Sequence, residues 1–74
     1  MTDAPPIHLT GPQLSMLRQL SLLPGYWHVT SVKQELKALD ELVTLRLARV
    51  QGHGHDRQFR VTVLGVSEIE ARGG

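Results

Sequence analysis

The chain has 74 residues and contains no cysteine, which excludes disulfide bonds and thiolate metal sites. It has one tryptophan, one tyrosine and one phenylalanine, so leucine and valine must supply most of the hydrophobic core. No apolar run approaches the roughly 20 residues that a membrane-spanning helix needs, and no signal-peptide pattern opens the chain. These absences indicate one small globular domain, close to the lower size limit for folding without disulfides or metals. The lack of cysteine fits a cytoplasmic location.

The net charge of +1 is unevenly distributed along the chain. Residues 44–62 carry four arginines against one acidic residue, which gives this segment a net charge of +3. Residues 30–43 and residues 63–74 each have a net charge of −1. His53 and His55 add to the positive segment when they are protonated. The positive charge is therefore concentrated in residues 44–62, and its position is more informative than the total.

The first quarter of the chain predicts an arm and one helix. Residues 1–9 hold two adjacent prolines and few helix-forming residues, and they are interpreted as an N-terminal arm. Thr10 and Gln13 have the spacing of a capping box, with a proline in the first turn, so a helix is predicted over residues 11–23. The Pro24-Gly25 dipeptide ends this helix. Its apolar residues on one broad side are Leu14, Met16, Leu17, Leu20 and Leu23.

The segment Tyr26-Trp27-His28-Val29 is too short for a helix and is predicted to be a short strand or an extended link. Trp27 has two interpretations: it anchors the core, as is common in so small a domain, or it contacts a partner. Leu22 projects from the polar side of the first helix and lies either under the arm or at a dimer or partner contact. The candidate residues for binding a protein partner are Leu22, Tyr26 and Trp27.

A second helix is predicted over residues 30–43. Thr30 or Ser31 is placed to cap its start. Its apolar residues recur at helical spacing and form a narrow seam that we expect to face the core. This seam comprises Val32, Leu36, Leu39 and Val43. The opposite, polar face comprises Thr30, Gln34, Lys37 and Glu41.

Residues 45–62 predict a β-hairpin with a flexible tip. Two runs rich in valine, leucine and arginine enclose the segment 51–57, whose two glycines permit the backbone angles that a turn needs. Residues 58–63 alternate between polar and apolar, as expected for a strand with one solvated face. Thr62 is placed to cap a last helix over residues 63–71. The expected fold class is therefore α+β, with three helices and one hairpin in a domain of residues 10–72.

This order of elements resembles the second half of a winged helix-turn-helix domain of the MarR and PadR type. The resemblance covers about residues 29–66 and implies that the second helix is a recognition helix and the hairpin a wing. The chain departs from the family between Pro24 and Val29, where the short second helix of such domains does not fit. That helix is either reduced to a turn or missing. The segments that carry the resemblance are Leu36-Lys-Ala-Leu-Asp-Glu-Leu42, Leu47-Ala-Arg-Val50 and Phe59-Arg-Val-Thr-Val-Leu-Gly65.

The function expected from the resemblance is that of a DNA-binding transcriptional regulator, acting as a homodimer because one module covers too small a DNA site. The polar face of the second helix would enter the major groove, and the hairpin tip would contact phosphates or the minor groove. The three acidic residues of this helix weaken the hypothesis. The candidate DNA-binding residues are Thr30, Ser31, Lys33, Gln34, Lys37, His53, His55 and Arg57.

The alternative function is that of a small protein-binding winged-helix module, which inhibits or adapts a larger partner. Small cysteine-free chains also suit phage-encoded or accessory regulators. Catalysis is not expected, because no nucleophile elbow or phosphate-binding glycine loop occurs. His53 and His55, with Asp56, have the spacing of a metal clip but lack a further ligand run. We therefore expect that the chain is not an enzyme and that it binds no metal and no cofactor.

Overall fold

The computed structural model describes residues 8–72, which form three α-helices and one β-hairpin. The arm predicted over residues 1–9 therefore lies outside the described residues, except for its last two. This architecture confirms the predicted α+β class of three helices and a hairpin. The helices are α1 (Gly11–Leu22), α2 (Lys33–Thr44) and α3 (Val63–Ala71). The antiparallel strands are β1 (Ala48–Gln51) and β2 (Gln58–Val61), with a 3₁₀ turn (Gly54–Asp56) at their tip.

The helix starts show which capping predictions hold. Thr10 and Gln13 form both bonds of the predicted capping box at the start of α1. Helix α2, however, begins three residues later than predicted, and its N-cap, Val32, makes no side-chain cap bond. The Thr30 hydroxyl instead donates to Glu35 Oε1 at 2.6 Å and accepts from the Val32 backbone N–H at 3.2 Å. Neither Thr30 nor Ser31 caps α2, because Thr30 is used to shape the segment before the helix.

The core lies between the three helices and one face of the hairpin. Leu9 and Leu14 pack against its border. Within the predicted seam of α2, Leu39 is fully buried and Leu36 and Val43 pack against the core, whereas Val32, which precedes the helix, is exposed. Ala38 and Leu42 are also buried. Ala38 lies on the side of α2 that faces α1. The largest fully buried side chains are Leu17, Leu39, Leu42, Leu47 and Phe59.

The link between α1 and α2 is extended and pairs with the hairpin. Gly25 has a φ of +88°, in the turn that ends α1. The His28 backbone N–H donates to Phe59 O at 2.6 Å, and the Phe59 N–H donates to His28 O at 2.9 Å. Strand β2 is therefore flanked by β1 on one side and by His28 on the other. No helix forms between Leu22 and Lys33.

Helix α2 ends in a Schellman motif that turns the chain into the hairpin. The Leu47 N–H donates to Leu42 O, and the Arg46 N–H donates to Val43 O, both at 2.9 Å. Arg46 has a φ of +65°, a left-handed conformation that glycine adopts without steric cost and arginine does not. Residues 45–47, predicted as the start of a strand, therefore belong to the turn, and β1 begins only at Ala48.

Thr62 and Gly65 hold α3 against this turn. The Thr62 hydroxyl donates to Arg46 O at 2.8 Å and accepts from the Gly65 backbone N–H at 3.0 Å, which caps α3 as predicted. A Cβ on Gly65 would collide with the Leu47 carbonyl oxygen and would lie 2.7 Å from the Val61 side chain. The spacing Thr-x-x-Gly thus has two structural purposes: the threonine caps α3, and the glycine permits its close approach.

We predict that Gly65→Ala destabilises the protein by about 3 kcal/mol, because the added methyl group overpacks a contact with backbone. Urea denaturation of the two proteins measures the difference. Gly11→Ala is the matched control, since Gly11 also lies in the first turn of a helix but has open space around it. The control should stay within about 0.5 kcal/mol of the parent. Equal stability of the two variants would show that α3 does not approach the α2–β1 turn in solution.

We also predict that Arg46→Gly stabilises the protein by about 1 kcal/mol, because it removes the strain of a left-handed arginine. Arg46→Ala removes the same charge but keeps a Cβ, and its stability should stay close to that of the parent. Thermal denaturation of the three proteins separates these effects. A glycine variant no more stable than the alanine variant would contradict the assigned backbone conformation.

Candidate nucleic-acid interface

Helix α2 exposes a strip between α1 and the hairpin. On one side, Gln13 Nε2 of α1 donates to Glu41 Oε1 at 2.8 Å. On the other side, Arg57 Nη1 of the hairpin donates to the two carboxylate oxygens of Asp40 at 2.8 and 3.0 Å. An open groove of about 440 Å³ runs along the strip, and we call it the α2 groove. It is lined by Lys33, Leu36, Lys37, Asp40, Glu41, Thr44 and Arg57.

The α2 groove brings together three of the predicted DNA-binding residues, Lys33, Lys37 and Arg57. The two lysines lie one helical turn apart on α2 and are exposed. Neither forms an ion pair within residues 8–72. With Asp40 and Glu41 as its two acidic members, the lining has a net charge of +1. The unpaired positive charge of this groove therefore comes from the two lysines, since Arg57 is paired with Asp40.

The three acidic side chains of α2 all have partners inside the protein. Only Asp40 is paired with a cation. Glu35 accepts from the Thr30 hydroxyl, and Glu41 accepts from the Gln13 amide. The acids therefore tie α2 to the preceding segment, to α1 and to the hairpin. The negative charge of α2 is therefore used in bonds to other segments of the protein, while Lys33 and Lys37 remain on its exposed strip.

Arg57, one of the predicted DNA-binding residues, joins the hairpin tip to α2. Beside its bonds to Asp40, its Nε donates to Gly54 O at 3.2 Å. Its guanidinium carbon lies 5.8 Å from the centroid of the Phe59 ring. The Arg57 and Asp40 side chains are 30% and 48% exposed, so solvent screening limits the pair to about 0–1 kcal/mol. The pair therefore serves mainly to position the tip.

The other predicted DNA-binding residues do not line the α2 groove. Thr30 is bonded to Glu35, and Ser31 is exposed before α2 begins. Gln34 is exposed on the side of α2 that faces α1. His53 is exposed at the hairpin tip, where it precedes the 3₁₀ turn. The side chain of His55 lies outside what the structure describes.

Two arginines outside the predicted set lie on the outer face of the hairpin. Arg49 of β1 and Arg60 of β2 are direct cross-strand partners. The guanidinium carbon of Arg60 lies 5.4 Å from the centroid of the Trp27 ring. The alternation of residues 58–63 places Arg60 on a solvated face, but only the strand register shows that Arg49 lies opposite. Within the described part of the chain, neither arginine forms an ion pair.

The three predicted partner-binding residues differ in exposure. Leu22 is 79% exposed at the end of α1, and Tyr26 is 65% exposed just after it. Trp27 is half-buried beside Arg60 and does not belong to the core. The interpretation of Trp27 as a core anchor is therefore wrong. Phe59, which is fully buried, is the aromatic residue of the core.

Comparison with protein-family models, curated proteins and solved structures gives no significant match to this chain. Among residues 8–72, no helix has both the length and the apolar character to cross a membrane. The same residues contain no cluster of three or more histidine or acidic side chains arranged to hold a metal ion. The candidate interface therefore rests on the geometry of α2 and the hairpin.

We predict that Asp40→Asn loosens the hairpin tip while lowering stability by less than about 1 kcal/mol, because the pair is solvent-exposed. Hydrogen exchange followed by NMR should show faster exchange of the Asp56 amide, which donates to His53 O at 3.0 Å. Glu68→Gln is the control, since it breaks an ion pair with Arg72 on α3, away from the tip. If Asp40→Asn leaves exchange at the tip unchanged, other contacts position the tip.

Proposed function

We propose that this chain is a DNA-binding transcriptional regulator of the winged-helix type, with α2 as the recognition helix and the hairpin as the wing. The observation that supports it most is the α2 groove, in which exposed Lys33 and Lys37 lie beside the anchored hairpin tip. The major groove of DNA is about 12 Å wide and admits one α-helix. A hairpin fixed beside that helix is well placed to contact the neighbouring phosphates.

The proposal assigns different contacts to different parts of the interface. Lys33 and Lys37 bind phosphates or base edges from the exposed strip of α2. Ser31 and Gln34 lie at the N-terminal end of α2, which is the end that contacts bases in recognition helices. His53 approaches the DNA backbone from the tip. Arg57 acts indirectly, by fixing the distance between the tip and α2.

Two copies of the chain are proposed to act together on DNA. The α2 groove has a net charge of only +1, and a single small module contacts few phosphates. A homodimer on two half-sites doubles these contacts and adds sequence length to the site. Because a transcriptional regulator works beside the DNA, the proposal also includes a cytoplasmic location.

A second candidate function is that of a protein-binding winged-helix module that inhibits or adapts a larger partner. The observation that favours it is the exposure of large apolar side chains at and after the end of α1, namely Leu22, Leu23 and Tyr26. Clustered exposed apolar residues are typical of interaction sites. If this second function holds, Leu22→Ser should abolish association with the partner protein, and the chain should not bind duplex DNA through Lys33 and Lys37.

The DNA-binding proposal predicts that the chain binds labelled duplex DNA and that affinity falls steeply with salt, because phosphate contacts release counterions. Lys33→Ala and Lys37→Ala should each weaken binding to all sequences and lower the salt slope by about 1 for each copy of the chain bound to the DNA. Gln34→Ala should change sequence preference instead. Fluorescence anisotropy at several salt concentrations measures all three effects.

Arg18→Ala is the matched control for this experiment. It removes one positive charge from an exposed position of α1 that does not line the α2 groove. It should weaken binding much less than either lysine variant. Absence of binding at low salt, or binding that is indifferent to salt, would refute the proposal. An Arg18→Ala effect as large as that of Lys33→Ala would show that the interface lies elsewhere.

A further inference from the structure

A second groove lies on the outer face of the hairpin, and we call it the outer groove. It is open, has a volume of about 530 Å³ and shares no residue with the α2 groove. One wall carries the cross-strand pair Arg49 and Arg60. The other wall carries apolar residues from the start of α3, including Val63 and Leu64. The two grooves therefore present two separate surfaces of the same hairpin.

The cationic wall is arranged to receive an anion. Like charges directly opposite each other on a sheet repel, so the Arg49–Arg60 pair weakens the hairpin unless an anion lies between them. No acidic residue lines the outer groove. The guanidinium carbon of Arg60 lies 5.4 Å from the centroid of the Trp27 ring. This contact restricts the Arg60 side chain, so less conformational entropy is lost when an anion binds to it. Arginine is suited to carboxylates and phosphates because its planar fork donates two parallel hydrogen bonds.

The apolar wall narrows the choice of anion. Val63 is 85% exposed and Leu64 is 48% exposed, although both lie in the first turn of α3. They lie on the same groove as Pro24, which adds further apolar surface. A nucleic acid in this groove would bring charged phosphates against the apolar wall, and the lining offers it only two cations, Arg49 and Arg60. A peptide that combines carboxylates with a bulky apolar side chain satisfies both walls.

We propose that the outer groove binds an acidic segment of a partner protein, with carboxylates on Arg49 and Arg60 and an apolar side chain on Val63 and Leu64. This site goes beyond the proposed DNA binding, because it uses none of the residues of the α2 groove. A regulator of this design holds DNA with α2 while the outer face of its hairpin holds a second protein.

The test uses the full chain and a capped peptide of alternating glutamate and leucine. Trp27 is the only tryptophan of the chain and lies beside Arg60, so its fluorescence reports on the cationic wall of the outer groove. The peptide should change this fluorescence in a saturable way. Arg49→Gln and Arg60→Gln should each weaken binding at least tenfold, and Leu64→Ser should weaken it severalfold. Arg18→Gln, which removes one charge from α1, should leave it within twofold.

Four further probes decide between the proposed occupant and others. A peptide with serine in place of leucine should bind at least tenfold more weakly, and a lysine–leucine peptide should not bind. If millimolar inorganic phosphate displaces the glutamate–leucine peptide from the outer groove, the peptide assignment is overturned. A single-stranded or duplex oligonucleotide that binds through Arg49 and Arg60 more tightly than the peptide would also overturn it.

The peptide test separates this inference from the proposed function. Lys33→Ala should weaken DNA binding and leave peptide binding unchanged, whereas Arg60→Gln should weaken peptide binding. To confirm that each variant is folded, its far-UV circular dichroism spectrum should match that of the parent, and its thermal denaturation should remain cooperative. Folded Arg49→Gln and Arg60→Gln variants that still bind the peptide with parental affinity would refute the inference.

Discussion

The close contact between the start of α3 and the turn that ends α2 is the constraint on which this structure depends. Gly65 leaves room for the Leu47 carbonyl, and Thr62 bonds to Arg46 O while capping α3. Since β2 leads directly into α3, this contact fixes the direction of the hairpin. Arg57 then bonds to Asp40 and fixes the tip beside α2. The α2 groove follows from these two attachments.

Much of the fold could be predicted, because its signals are local. The capping box of α1, the polar–apolar alternation of β2 and the cap of α3 each depend on residues within a few positions of each other. Prediction failed where competing bonds decide the outcome. Thr30 bonds to Glu35 instead of capping α2, and Arg46 adopts a left-handed conformation where glycine would be expected. As a result, α2 and β1 each begin three residues later than predicted.

The candidate site could be predicted in part. The polar side of the second helix predicts Lys33 and Lys37 as binding residues, and both are exposed on α2. The position of Arg57 could not be predicted, since its partner Asp40 is 17 residues away and is reached only through the folded hairpin. The outer groove likewise requires the strand register, which pairs Arg49 with Arg60. Positive charge in the hairpin is therefore divided between anchoring the tip and forming a second surface.

Under the proposed function, duplex DNA lies against α2 and the hairpin tip. NMR chemical-shift mapping of the isotope-labelled chain with an unlabelled duplex is the sharpest test, because it locates the contact residue by residue. We expect salt-sensitive shifts of Ser31, Lys33, Lys37 and the tip residues 52–57, with little change at Val63 and Leu64. Shifts confined to the outer face around Arg49 and Arg60, or no shifts at low salt, would contradict it.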